Sequence, residues 1–318
     1  MRTPQDGRGR GLGGLALALG AVLITPVRAA DASSTPSAHP RTQVEPLDIP
    51  GFMRIPRPQP HAVLAYGEAP TQQGDLFLPR GSGPFPVVVL LHGGCWSSRT
   101  AGREQLRHLG ADLAERGIAV WNIGYRRANE DGGGYPGTYE DVANGFDHLR
   151  KLARSYPLDL DHLAAVGHSA GGHLALWAAG RDRLARSSAL RGPASLVPKR
   201  VVVLGGIGDL ERYAPLIPGI CGEDIGGRLV GLPDATRPDV YADTSPTRIG
   251  GNNVRVIMVS GTLDRLVPPH VAHDYARAVP DGVDVQRVDI TDAGHFDLVA
   301  GGPAWRLARA HIEAMLAR

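Results

Sequence analysis

Residues 167–171 read G-H-S-A-G, and the patterns on either side of them decide what this stretch can form. Residues 163–166 are an apolar run that predicts a buried strand, and residues 172–179 have the composition of a helix. A G-x-S-x-G sequence between a strand and a helix predicts a tight turn that lifts Ser169 clear of the sheet. Glycine is needed on both sides because a Cβ would collide with the neighbouring strand and helix. The chain has 42 glycines, so the motif alone could arise by chance and its context carries the prediction.

The rest of the chain alternates strand patterns with helix patterns. Strands are predicted at residues 61–67 and 75–78, as an antiparallel pair, and at residues 86–91, 118–123, 200–204, 254–259 and 283–290. Helices are predicted at residues 103–116, 139–155, 270–278 and 303–317. This order predicts an α/β fold, with a mostly parallel central sheet and helices on both faces. Sites in such sheets gather at the carboxyl ends of the strands.

Length and composition limit the classes of protein to which the chain can belong. With 318 residues, of which 42% are hydrophobic, it can form one large α/β domain, which we place at residues 61–318. The formal net charge is only +2, so no basic surface argues for a nucleic-acid partner. No second group of ligand residues at suitable spacing accompanies His168 and His173, so neither a metal ion nor another cofactor is expected.

The N-terminus has the features of a secretory signal peptide, which we predict at residues 1–30. Three arginines among the first ten residues precede an apolar run at residues 11–25, and small residues follow near Ala30. The run is too short for a stable membrane span, so the protein is expected to be periplasmic or secreted. Residues 31–60 are rich in Pro, Ser, Thr and Ala and are predicted to be a flexible linker.

Ser169 needs a base to accept its proton and an acid to orient that base, and candidates for both follow it in the chain. Asp264 comes directly after a predicted buried strand, and His295 comes just after the last predicted strand. His295 would accept the serine proton, while Asp264 would hold the imidazole and stabilise the imidazolium. A lone histidine after a strand is usually structural, but the joint placement of all three favours catalysis. Asp209, after the strand at 200–204, is the alternative acid.

A tetrahedral oxyanion needs two backbone N–H donors, and two segments of the chain can supply them. One donor is expected from Ala170, the residue after the serine. The other is expected from Gly94 or Cys95, in the H-G-G-C-W loop that follows the strand at 86–91. The glycines of this loop would let the backbone turn its amides toward the substrate oxygen.

The surroundings of these segments hold the candidate substrate-binding residues, Trp96, His168 and Tyr213. Tyr213 lies in a Gly- and Pro-rich segment, residues 211–247, that is predicted to be a small cap with an acyl or aryl pocket. An ordinary surface excursion is the alternative for this segment. The two cysteines, Cys95 and Cys221, could pair in an oxidising compartment or remain separate buried thiols, and their spacing does not decide between these states.

Together, the loop at residues 92–96, the turn at 167–172, Asp264 and His295 resemble the α/β-hydrolase superfamily. The resemblance is to the esterase and arylformamidase-like branch, which has an H-G-G-x-W oxyanion loop, and it covers the whole predicted catalytic domain. It implies the α/β-hydrolase fold, in which the catalytic residues follow the chain order Ser, Asp, His. The chain departs from lipase-type loops at Cys95, which stands where those loops have a third glycine.

The resemblance implies a serine hydrolase that cleaves small or medium carboxylic esters through an acyl-enzyme, and the signal-like N-terminus predicts that it is exported. The alternatives are an amidase, arylformamidase or peptidase with the same triad, and a non-catalytic binding module. A binding module is disfavoured because no member of the triad is missing. The acyl and alcohol groups, the preference for ester or amide and the oligomeric state stay open, since a superfamily does not determine a substrate.

Overall fold

The structure, a computed structural model, describes residues 44–100, 102–193, 195–222 and 224–317. The predicted signal peptide and the first part of the predicted linker lie outside these residues. Within this part of the chain, no helix is both long enough and apolar enough to cross a membrane.

Eight strands of the described residues pair into one sheet, in the order β1-β2-β4-β3-β5-β6-β7-β8. The strands are β1 (Ala62–Ala65), β2 (Gln73–Phe77), β3 (Phe85–Leu91), β4 (Ala119–Ile123), β5 (Leu158–His168), β6 (Arg200–Leu204), β7 (Val254–Gly261) and β8 (Val283–Ile290). Strand β2 pairs antiparallel with both β1 and β4, and the other neighbours are parallel. The predicted mostly parallel sheet and the antiparallel first pair are therefore confirmed.

The helices cover both faces of the sheet, as predicted. They are α1 (Ile49–Met53), α2 (Arg107–Glu115), α3 (Gly137–Asp147), α4 (Leu149–Leu152), α5 (Ala170–Gly180), α6 (Leu210–Tyr213), α7 (Ile217–Cys221), α8 (Ile225–Val230), α9 (Pro246–Ile249), α10 (Pro269–Ala278) and α11 (Pro303–Leu316). Side chains alternate across a strand, so Val87, Val89 and Leu91 of β3 pack with α3 and α5, while Val88 and Leu90 pack with α2 and α11. Strand β3 is thus buried on both faces, which explains its continuous apolar sequence.

The register of the parallel strands brings their carboxyl ends to one edge. Leu91 of β3 pairs with Gly167 of β5, and His168 of β5 pairs with Leu204 of β6. The loops after β3, β5 and β6 therefore start side by side. All the candidate catalytic and oxyanion residues follow strands that end at this edge.

The described part of the predicted linker, residues 44–60, differs from the expectation of a flexible segment. It contains α1, whose first turn is capped by Asp48, since that carboxylate accepts the Gly51 N–H at 2.7 Å. Phe52 is only 2% exposed and belongs to the core between the sheet, α2 and α11. Proline-rich composition predicts disorder, but burial of one aromatic side chain offsets part of the cost of ordering this segment.

The segment at residues 211–247 contains most of α6, all of α7 and the helix α8. It reaches the carboxyl edge of the sheet, because Ile217 of α7 lines the same cavity as Ser169. A disulfide joins Cys221, at the end of α7, to Cys95 in the loop after β3, with 5.7 Å between the Cα atoms. The two cysteines, whose pairing the sequence leaves open, therefore tie this segment to the predicted oxyanion loop.

Candidate active site

Ser169 lies in the turn between β5 and α5, with a backbone φ of 52° and ψ of −120°. A positive φ is strained for a residue with a side chain, so the surrounding structure must enforce it. The Ser169 N–H donates to the Leu204 carbonyl at the end of β6, at 2.9 Å. A Cβ on Gly167 would overlap the Gly171 carbonyl, and a Cβ on Gly171 would overlap the Leu91 carbonyl. Glycine is therefore required at both positions, and the turn has the predicted form.

Asp264 and His295, on the segments after β7 and β8, are hydrogen-bonded to each other. The His295 Nδ1 atom lies 2.7 Å from the Asp264 Oδ2 atom, and both side chains are buried. Because a carboxylate only accepts, Nδ1–H is the donor, which leaves Nε2 able to take up a proton. The other carboxylate oxygen, Oδ1, accepts the N–H groups of Leu266 and Val267 at 2.9 and 2.8 Å. These bonds fix the carboxylate, which in turn fixes the orientation of the imidazole.

Gly205, directly after β6, makes room for the histidine–aspartate pair, and sequence reasoning missed it. Its φ is +55°, and a Cβ there would lie 3.0 Å from Asp264 Oδ2 and 3.1 Å from His295 Nδ1. A glycine directly after a buried strand, at the edge where sites form, is the signal that could have identified it. The alternative acid, Asp209, instead caps α6 by accepting a backbone N–H of the first turn at 3.1 Å.

The loop after β3 has a left-handed backbone at three consecutive residues. The φ values are +107° at Gly94, 55° at Cys95 and 48° at Trp96. The disulfide holds Cys95, and the Trp96 carbonyl accepts the Ala128 N–H at 2.8 Å, so the loop is secured on two sides. Gly94 and Cys95 line the same cavity as Ala170, the first residue of α5. The three residues expected to supply the backbone donors therefore line one cavity, and Ala170 lies at the N-terminus of α5, which carries a partial positive charge.

Two of the three expected substrate-binding residues, Trp96 and His168, line the cavity that contains Ser169. His168 is buried, and its Nε2–H donates to the backbone carbonyl of His295 at 3.2 Å. The two imidazole rings lie 4.6 Å apart. His168 therefore both stabilises the backbone at His295 and lines the cavity.

Tyr213, the third expected substrate-binding residue, does not line the cavity of Ser169. It lines a neighbouring cavity, and its hydroxyl donates to Asp274 at 2.7 Å. Burial and this carboxylate raise the pKa of Tyr213 to about 12. Asp274 also pairs with Arg212 at 2.8 Å, so the polar end of the tyrosine is held in a structural cluster. No sequence pattern connects Tyr213 with Asp274, which follows 61 residues later.

The other histidines near the site are buried and bonded as neutral rings. The His92 Nδ1–H donates to the next residue's carbonyl at 2.8 Å, and its ring stacks on Tyr125. The His173 Nε2–H donates to the Thr244 carbonyl at 2.8 Å. Burial lowers the pKa of His92 and of His173 to about 4, and it lowers that of His168 well below the ordinary value. No cluster suited to a metal ion occurs in the described ranges.

The candidate catalytic residues Ser169 and His295 open into one cavity of about 260 Å³. Its apolar walls come from α1, from the segment after β6 and from the segments beside Asp264 and His295. These wall residues are Ile49, Phe52, Met53, Ile207, Ile217, Ile220, Leu266, Val267 and Phe296. A cavity with such walls suits an uncharged hydrocarbon group next to the serine.

Comparison with protein families gives one match that covers more than half of the chain. The model of the family BD-FAE matches residues 75–278. The matched region contains Ser169 and Asp264, starts after α1 and ends before His295.

Curated relatives share shorter stretches with the chain. A probable isoprenylcysteine alpha-carbonyl methylesterase of Arabidopsis thaliana, ICMEL1, is 33% identical over 135 residues, 41% of this chain and 28% of that protein. Kynurenine formamidase of Danio rerio is 29% identical over 116 residues, 35% of this chain and 36% of that protein. The chain therefore spans about a third of the length of these curated relatives.

Solved structures extend the likeness to most of the chain. Esterase B from Lactobacillus Rhamnosis (HN001) superimposes with a TM-score of 0.65 at 18% sequence identity, over 82% of this chain and 88% of that one. At this identity the likeness shows the fold. The α/β-hydrolase fold expected from the sequence is thereby confirmed.

Proposed function

This chain belongs to the BD-FAE family of α/β-hydrolase esterases, and from that premise we propose that it is a serine hydrolase that cleaves small or medium carboxylic esters. The observation that carries the proposal is the His295–Asp264 hydrogen bond at the cavity that Ser169 also lines. A serine on a strained turn, a histidine with an available Nε2 and a buried carboxylate are the groups that acyl transfer to serine requires.

In the proposed mechanism, the Ser169 hydroxyl oxygen attacks the ester carbonyl carbon while His295 Nε2 takes the serine proton. The negative charge moves to the carbonyl oxygen, which faces the N–H groups of Ala170 and of residues 94–95. His295 then gives the proton to the leaving oxygen as the C–O bond breaks, which releases the alcohol and leaves an acyl-serine. Water repeats the sequence on the acyl-serine and releases the acid. Asp264 stabilises the imidazolium that forms in both halves.

The cavity supports an ester as the substrate. Its walls are mostly apolar, so an uncharged acyl or alkyl group gains free energy by leaving water there. Its volume of about 260 Å³ suits small and medium groups. The same catalytic groups could attack an amide, for which His295 must protonate a poorer leaving group, so matched ester and amide substrates separate the two activities.

Hydrolysis of p-nitrophenyl acetate, butyrate and octanoate, and of the matching anilides, tests the proposal. The wild-type protein is compared with Ser169→Ala and with Ser98→Ala, a control at an exposed serine that follows the oxyanion loop. We expect Ser169→Ala to lower kcat on the esters by about 10³- to 10⁶-fold, with Ser98→Ala close to wild type. Equal rates for wild type and Ser169→Ala would remove Ser169 from the mechanism. Activity on the anilides alone would contradict the proposed esterase and identify the protein as an amidase.

We further propose that the protein acts in the periplasm or outside the cell. The signal-like N-terminus motivates the proposal, and the Cys95–Cys221 disulfide supports it, since disulfides persist mainly in oxidising compartments. Fractionation of cells that produce the full chain is expected to recover a shortened, oxidised protein outside the cytoplasm. An uncleaved, reduced protein in the cytoplasm would contradict the proposal.

A further inference from the structure

The N-terminal arm, which we define as residues 44–57, precedes the region that matches the family and yet reaches the catalytic cavity. Ile49, Phe52 and Met53 of α1 line the same cavity as Ser169 and His295. On this ground, and resting on the proposed function, we propose that the arm is part of the substrate site and binds the hydrocarbon part of the ester. It would determine the preference for acyl or alkyl groups larger than acetyl.

The arm is anchored to the loop that carries the catalytic histidine. The Asp297 carboxylate accepts the Leu47 N–H at 3.2 Å and the Gly294 N–H at 2.8 Å, through the same oxygen. Phe52 stacks on Phe296, the residue after the histidine, with 5.2 Å between ring centres and 26° between the planes. These contacts therefore fix the position of α1 relative to the loop that carries His295.

The far end of α1 is closed by Arg57. Its Nη2 atom donates to the Phe52 carbonyl at 2.9 Å, and Nη1 donates to the Ile55 carbonyl. The guanidinium also lies over the Phe52 ring, 5.1 Å from its centre. A helix of five residues has little stability by itself, so these contacts, together with the buried ring, hold it against the domain.

Two side chains of α1 carry apolar surface that the described residues leave uncovered. Ile49 is 57% exposed and Met53 is 49% exposed, although both line the cavity. Ile220 of α7 and Leu266 beside Asp264 line the same cavity and are also partly exposed. A hydrocarbon group that extends from the acyl-serine region across this rim would cover these side chains, and removal of that surface from water favours binding. Because these four side chains line the cavity of Ser169, the group that covers them is part of the substrate.

The double variant Ile49→Ala/Met53→Ala tests this proposal, because both side chains are exposed and their truncation leaves the core intact. We expect kcat/KM on p-nitrophenyl octanoate to fall by about three- to tenfold, with a change below about twofold on p-nitrophenyl acetate. Leu307→Ala is the matched control, since Leu307 is 56% exposed on α11 and does not line the cavity. An unchanged ratio of octanoate to acetate activity in the double variant would overturn the proposal.

Binding of octanoate, the product acid, gives a readout that does not depend on turnover. We expect calorimetry to show weaker octanoate binding to the double variant than to wild type or Leu307→Ala. If the wild-type protein hydrolyses no ester but binds octanoate in this arm-dependent way, the proposed function fails, and the arm binds a hydrocarbon group without being part of an ester site. If hydrolysis occurs and octanoate binds all three proteins equally, the proposed function stands and the arm is not part of the substrate site.

Discussion

At the scale of single residues, Asp264 is the most constrained member of the site. One carboxylate oxygen accepts from His295, and the other accepts two backbone N–H groups. Gly205 leaves the space in which this arrangement fits. The carboxylate therefore holds the imidazole through Nδ1 and leaves Nε2 without a bond to Asp264.

Asp264→Asn is expected to lower kcat/KM on the esters by about 10³- to 10⁴-fold. The amide keeps the volume of the carboxylate but carries no charge to stabilise the imidazolium. Steady-state kinetics on p-nitrophenyl butyrate measure the effect, and circular dichroism verifies the fold. Asp209→Asn is the control, because Asp209 caps α6 and asparagine caps helices equally well. If the two variants lost activity to the same small extent, Asp264 would not be the acid of the triad.

From the sequence, the positions of the candidate catalytic residues in the fold could be predicted where a side chain follows a recognisable strand end, while their catalytic roles stay a prediction. Ser169 and Asp264 follow strands whose last residues are buried, His295 follows the partly exposed edge strand β8, and the register of the sheet brings those ends together. Tyr213 was misplaced because its partner, Asp274, comes from a helix that no local pattern connects to it. Long-range polar pairs of this kind depend on packing, which a single sequence does not show.

At the scale of elements, the disulfide connects α7 to the predicted oxyanion loop across a separation of 126 residues. A crosslink that closes so long a loop restricts the unfolded chain strongly, so its loss is expected to lower the free energy of unfolding by about 2–5 kcal/mol. Thermal melts of the wild-type protein with and without a thiol reductant measure this effect. The double variant Cys95→Ala/Cys221→Ala should have a lower melting temperature than the wild-type protein without reductant, and the reductant should not change it. A wild-type melting temperature that is the same in both conditions, with reduction verified by mass, would contradict this prediction.

The elements differ in how well the sequence predicted them. Strands β3, β4, β6 and β7 are rich in apolar residues, and the structure places each within about two residues of the prediction. Helix α1 was missed because five residues contain too few positions for a helical period, and only Phe52 among them is buried. It is held by contacts with Phe296, which is distant in the sequence, and with Arg57, which lies outside the helix, and neither contact is visible in a local sequence pattern.

At the scale of the whole molecule, the buried histidines make stability depend on pH. Burial lowers the pKa of His92, His108 and His173 from 6.5 to about 4, so between these values the unfolded chain binds more protons than the folded protein. These lowered pKa values do not affect the free energy of unfolding above pH 6.5, and they lower it progressively as the pH falls toward 4. At pH 5 each is expected to cost about 2 kcal/mol of unfolding free energy.

Chemical denaturation at pH 7.5 and at pH 5 checks this prediction. His173→Gln should lose about 2 kcal/mol less than wild type between the two values, because the amide can still donate to the Thr244 carbonyl but does not titrate. His61→Gln, at an exposed histidine, should lose as much as wild type. If all three proteins lost the same free energy, burial of His173 would not contribute to the acid sensitivity.

The central claim, that Ser169 is a nucleophile activated within this site, is tested most directly by covalent capture. The wild-type protein, Ser169→Ala and Asp264→Asn are incubated with an alkyl fluorophosphonate, and intact mass and peptide mapping locate the adduct. We expect one phosphonyl group per wild-type molecule, bound to Ser169, with none on Ser169→Ala and slow labelling of Asp264→Asn. An adduct on another residue, or a wild-type protein that hydrolyses esters while Ser169 stays unlabelled, would contradict the account.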